Sequence, residues 1–199
     1  MKPIQRDEIL DLGAYEAIRD RFRARVIDEK KRRRVLLGPH ASCVFENRDT
    51  ALMQIQEMLR TERITREGAV LHEIETYNQL VPADGELSAT VMIEIDDRDT
   101  RDAFLVAGRG LDRAFALEID GERFAGKWDA ARELPDRTTT VHYLKFPLSD
   151  AARAKLTAIA RGEAKATSVT AALVADHDAY RHRADLPPEL VASVAEDVV

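Results

Sequence analysis

Apolar residues along the chain recur at two spacings, and the change between them falls near residue 82. Before it the spacing is helical. Tyr15, Ile18, Phe22 and Val26 step by three, four and four, with Arg and Asp between them, which predicts a helix over residues 5–31. Gly13 marks where a short first turn would part from the longer helix, since glycine costs about 1 kcal/mol in a helix interior. RRRVLLGP and SCVF read as two short extended pieces. Asn47 or Asp49 can cap a helix over 48–63, with Leu52, Ile55 and Leu59 on its inner face and Glu57 pointing away. Thr65 can cap a third helix running to about residue 80. Val70, Ile74, Tyr77 and Val81 form its stripe, and Pro82 stops it.

After residue 82 the period becomes two. In ELSATVMIEI, Leu87, Ala89, Val91, Ile93 and Ile95 alternate with polar positions, the pattern of a half-buried strand. Asp99 can cap a short helix ending near Gly108. Phe115, Leu117 and Ile119 alternate, Asp120-Gly121 makes a hairpin turn, and ERFAGKW returns. TTTVHYLKFPL is a further strand. Ser149 can cap a helix to Arg161 with Gly162 as its stop, and ATSVTAALVA is the last strand. A short helix with Leu190, Val191 and Val194 follows Pro187-Pro188. Hairpins and alternation point to an α+β fold rather than a doubly wound one, with a helical N-terminal part packed on a mainly antiparallel sheet of about four to six strands. The 199 residues read as a single domain, helical over 1–82 and sheet-rich over 83–199.

Composition narrows the function. The net charge of −6 argues against wholesale nucleic-acid binding, although residues 19–34 hold nine Lys or Arg against three Asp or Glu, a local charge of +6. No apolar run approaches the roughly 18–20 residues needed to cross a bilayer. The start, MKPIQRDEILDLG, is charged and lacks the apolar core of a secretory signal, and the single cysteine fits a reducing compartment. The expectation is a cytoplasmic protein.

Candidate chemistry gathers before the second helix. His40, Cys43 and Glu46 follow one another at three-residue steps, and imidazole, thiolate and carboxylate are all ligands for Zn²⁺ or Fe²⁺. A divalent metal is therefore the candidate cofactor, with those three residues as its ligands. The competing readings are a purely structural stretch, with Cys43 a small buried hydrophobe, His40 a loop residue and Glu46 a carboxylate near a helix N-terminus, and a helix entrance that binds a small anion or a partner through His40, Glu46, Asn47 and Arg48, where backbone amides and the helix dipole favour negative charge. Elsewhere, Glu94, Asp96, Asp97 and Asp99 form an acidic turn, and His177 and His182 fall in what reads as a loop after the last strand. His142 shares a face with Thr140, Leu144 and Phe146 and reads as a satisfied sheet histidine. GRGL at 108–111 reads as a turn only. CxxC, HExxH, GxSxG, P-loop and GxGxxG patterns are all missing.

FENRDTALMQIQEMLR, followed by YNQLVP and LSATVMIEI, resembles a bacterial family known only as a domain of unknown function, DUF3501-like, and the resemblance runs from RRRVLLGP through HYLKFPLS. Its members are often encoded beside a rubrerythrin-like protein and an iron–sulfur protein resembling a heterodisulfide-reductase subunit. The resemblance thus implies partners engaged in iron and peroxide chemistry, and it brings no catalytic residue. This chain has no Glu-x-x-His, and His72 and Glu75 stand in the reverse order, so it does not itself read as a ferritin-like di-iron protein. The expected function is an accessory or binding protein linked to iron and oxidative-stress metabolism. The alternatives are a metal-dependent enzyme, and nucleic-acid binding through the basic first helix.

Overall fold

The computed structural model describes residues 1–129 and 133–199. Its helices are α1 (Leu12–Arg32), α2 (Arg48–Thr61), α3 (Glu67–Asn78), α4 (Arg98–Ala107), α5 (Asp150–Ala160) and α6 (Pro188–Ala195). Its strands are β1 (Arg34–Leu37), β2 (Ala41–Glu46), β3 (Glu86–Ile93), β4 (Phe115–Ile119), β5 (Glu122–Ala125), β6 (Val141–Pro147), β7 (Ala171–His177) and β8 (Tyr180–Asp185). They form two antiparallel four-stranded sheets, ordered β1-β2-β3-β6 and β5-β4-β7-β8. The fold is α+β. No helix among the described residues is long and apolar enough to cross a membrane.

The sheets meet along both edges. On one side, Lys127 just past β5 exchanges two backbone hydrogen bonds with Lys145 of β6, at 2.7 and 2.9 Å. On the other, the Tyr180 hydroxyl of β8 donates to the Leu37 carbonyl of β1 and accepts from the His40 amide at 3.2 Å. Such closure leaves few free strand edges. It also makes one core: Cys43, Phe45, Leu87 and Val91 of the first sheet share it with Phe115, Leu117 and Leu173 of the second, and α5 and α6 add Leu156, Leu190 and Val194. A second cluster joins Ile4 and Ile9 to Ala51, Ile55 and Leu59 of α2, Val70 and Ile74 of α3, and Leu80 and Val81.

Several elements differ from the sequence reading for visible reasons. The first helix starts at Leu12 with Asp11 as its cap (Asp11 accepts from the Ala14 amide at 2.8 Å), so the break precedes Gly13 instead of falling on it. Tyr15 and Val26 are fully buried, while Phe22 is half-buried and Ile18 exposed. Ile18 lies about 60° around the helix from Tyr15, at the edge of the stripe. Glu57 does leave the apolar face of α2, but toward α1 rather than solvent: it accepts from Tyr15 Oη at 2.7 Å and from Arg19 at 2.8 and 2.9 Å. Asp97, not Asp99, caps α4, and α3 begins after Arg66 without a side-chain cap. β3 is buried on both faces except at two positions, because it is central in its sheet and covered outside. The segment after β7 is the strand β8, not a loop. Its run of Arg, His and Asp hid an edge strand whose exposed face is charged.

Candidate functional site

The residues singled out from the sequence are placed by β2 and the first turn of α2, and they do not converge on one point. Alternation along β2 turns Cys43, with Ala41 and Phe45, into the shared core, whereas Glu46 faces the other way and accepts from Thr90 Oγ1 at 2.8 Å. Three-residue steps suit a helix; in a strand they put side chains on opposite faces. Burial pushes the Cys43 thiol well above its ordinary range, aided by the Glu46 charge, so it stays protonated and inert. His40 sits half-buried in the β1–β2 turn against Phe104 and Tyr180, at ring-centroid distances of 5.7 and 6.4 Å. No group of three or more His, Cys, Asp or Glu side chains among the described residues is arranged to hold a metal ion.

Asn47 caps α2 as expected. It accepts from the Thr50 amide at 3.0 Å, Thr50 Oγ1 accepts from the Asn47 amide at 2.9 Å, and its Nδ2 donates to Glu29 of α1. Arg48 donates to the Lys2 carbonyl at 3.1 Å and to the Glu8 carboxylate. Nearby, the buried Arg33 donates to the Phe45 carbonyl at 2.8 Å, to Ser193 Oγ at 3.1 Å and to the buried Asp197. This stretch is a junction joining α1, β2, α2 and both chain ends.

A different site lies where the sheets meet at β6. A cavity of about 280 Å³ is lined there by Asp112, Trp128, His142 and Leu144, with Lys127 and Lys145 among its polar walls. Its floor is a buried pair. His142, 2% exposed, directs Nδ1 at Asp112 Oδ1 across 2.7 Å. Thr138 Oγ1 also donates to Asp112, at 3.3 Å. Burial alone would raise the Asp112 carboxyl, but the hydrogen bond from His142, joined by the charge of that ring when it is protonated, outweighs it and holds the group below its usual range. Asp112 is therefore ionised, and Nδ1 carries the proton it donates. In the neutral ring, Nε2 is then a lone pair. That atom is buried and has no partner, and neither has the buried Trp128 Nε1–H. Buried polar atoms almost always find partners, so two orphans at one cavity point to a missing molecule.

Local sequence explains how the groups meet. Gly110, at φ +84°, starts the single turn Leu111–Arg113 that carries Asp112. Gly126 lets the chain after β5 lie flat on the core: a Cβ there would come within 3.2 Å of both the Phe115 carbonyl and the Phe146 ring. This close approach permits the Lys127–Lys145 pairing and brings Trp128 beside β6. Arg113 lies 5.8 Å over the Trp128 ring and binds Glu133 at 2.7 Å, holding the indole from outside. Lys145 is occupied, donating to the Val81 carbonyl at 2.7 Å and facing Glu86 at 3.0 Å. Lys127 is exposed and makes no ion pair among the described residues.

The sequence reads His142 as a satisfied sheet histidine, and only one of its two ring nitrogens is satisfied. Asp112 falls just past the GRGL turn at 108–111, where the sequence singles out nothing, and Trp128 at the end of a hairpin return. The available signal was a titratable side chain on a core-facing position of β6, which requires a buried partner.

A family model described as "Protein of unknown function (DUF3501)" matches residues 3–198. A crystal structure described as a novel protein of unknown function from Burkholderia pseudomallei K96243 superposes with a TM-score of 0.89, at 34% identity over 100% of both chains. Comparison with curated proteins gives no match.

Proposed function

The chain belongs to that DUF3501 family, and from the geometry of its cavity we propose that it binds a small polar molecule on the Asp112–His142 pair. The observation that carries this is the unpaired, buried Nε2 of His142 in a lined cavity. Asp112 fixes the ring orientation and tautomer, so a bound molecule meets a hydrogen-bonding atom already aimed and stripped of water. Such preorganisation lowers the cost of binding. Trp128 Nε1–H supplies a second directed contact.

The reading is compatible with an accessory role in a cytoplasmic iron-linked stress system, beside rubrerythrin-like or iron–sulfur partners. That link rests on the gene neighbourhood implied by the family resemblance. The cavity adds a place where such a protein would sense or carry a small molecule.

The test is a thermal-shift screen of a metabolite library against wild type, His142→Gln and Trp128→Phe. Ligand in excess stabilises a fold that binds it by RT ln(1 + [L]/Kd), about 2.7 kcal/mol at 100 Kd. Ligands that raise the melting temperature of wild type but of neither variant are the expected result. If every stabilising ligand acts equally on all three folded proteins, the cavity is not the binding site.

A further inference from the structure

We infer that the molecule bound at this cavity is a small anionic oxyacid that presents an O–H beside a negatively charged oxygen, as a hydroxycarboxylate or a phosphoryl group does. This rests on the reading of the cavity as a ligand site and specifies what fills it. Three positions constrain the chemistry.

The first is His142 Nε2. Because the ionised Asp112 carboxylate accepts the hydrogen bond from Nδ1–H at 2.7 Å, the neutral ring offers Nε2 as an acceptor, so the ligand must bring a donor to it. The second is Trp128 Nε1–H, which can only donate, so the ligand must also bring an acceptor oxygen. The third is charge. The Asp112 carboxylate accepts from His142 Nδ1–H and from Thr138 Oγ1, and the Lys145 ammonium is answered by Glu86 and the Val81 carbonyl. Lys127, exposed and also lining the cavity, is the cation there without an ion pair among the described residues. Asp129 lines the same cavity but has an interaction of its own. A ligand with O–H toward Nε2 and O⁻ toward Trp128 and Lys127 satisfies all three. A neutral diol would leave Lys127 unanswered. A carboxylate without an O–H would put acceptor against acceptor at Nε2, and that mismatch costs more than a contact never made.

The test is long-range ¹⁵N NMR of the ring-labelled full chain, with His142 assigned by its loss in His142→Gln. Glycolate, inorganic phosphate, acetate and ethane-1,2-diol are each titrated into the millimolar range. Expected is a saturable shift of the His142 Nε2 resonance with glycolate, phosphate or both, at lower concentrations than with acetate or the diol. Saturation by glycolate alone identifies a hydroxycarboxylate site, and by phosphate alone a phosphoryl site. Lys127→Ala, an exposed change that should leave the fold intact, should weaken the effective anion several-fold. Equal or tighter response to the diol, or anion binding indifferent to Lys127→Ala, overturns the inference. A ring that answers no probe overturns it as well. The broader ligand-site reading then survives only if the library screen yields a neutral compound that needs His142 and Trp128.

Discussion

At the residue scale, the buried side chains separate into those that hold the frame and those left open for chemistry. Arg33 belongs to the frame: its guanidinium reaches two backbone carbonyls of β2, Ser193 and Asp197. Removing one member of a buried charge pair strands the other, so Arg33→Ala should lose about 3–5 kcal/mol in urea unfolding; a loss below about 1 kcal/mol would mean the pair is dispensable. Burial raises the Asp197 carboxyl to about 6 against the pull of Arg33, with Glu29 and Glu196 adding to the rise. A carboxyl with a higher pKa folded than unfolded favours the protonated fold, so its contribution to stability falls as pH rises from about 4 to about 6. Asp197→Asn should remove that fall, and its stability relative to wild type should therefore improve across this window. A flat or opposite trend would contradict the assignment. At the α2 entrance, Asn47→Ala should cost about 0.5–2 kcal/mol through the lost cap. Glu46→Gln should cost under about 1 kcal/mol, since the amide oxygen can still accept from Thr90.

At the element scale, most strands and helices were legible because each buries one periodic stripe. The failures came where polar residues do structural work. β8 reads as a loop in the sequence because its charged outer face masks an edge strand. The alternation in β3 reads as half-buried, whereas Ser88 and Thr90 on its outer face are covered too. The candidate site was less legible than either, because it is made by pairing across distance. Asp112 and His142 are thirty positions apart, and Trp128 reaches them only because Gly126 lets its segment lie against Phe146. His142 was noticed for its face on β6, but nothing in one strand could show that its partner satisfies only one nitrogen. Gly126→Ala tests the geometry at this scale. The added methyl must push the segment off the core, at a cost of about 1–3 kcal/mol, and amide hydrogen exchange at Lys127 and Lys145 should accelerate. Unchanged protection at both amides would show that the close approach is not required.

At the scale of the whole molecule, two apolar clusters are built from different elements, with no long linker between them. The smaller cluster packs α2 and α3 against Ile4 and Ile9, while the inner faces of both sheets hold the larger core. Arg33 and Asn47 tie α1 to β2, α2 and the C-terminal turn, which couples the two clusters. The chain should therefore unfold as a unit, with calorimetric and van't Hoff enthalpies equal. Two resolved transitions would divide it near residue 82. The closed sheet arrangement also explains why the cavity lies at a seam: backbone pairing between Lys127 and Lys145 zips the sheets there, and the groups beside that pairing are left facing one another.

That Asp112 holds His142 with its Nδ1 protonated and its Nε2 unpaired beside the cavity can be tested without any ligand. Long-range ¹⁵N NMR of the free protein, at a pH where the ring is neutral, reads the tautomer of His142 directly. The account predicts the Nδ1–H form in wild type and its loss as the dominant form in Asp112→Asn. An Nε2–H ring in the wild-type protein, or a tautomer indifferent to Asp112, would contradict it.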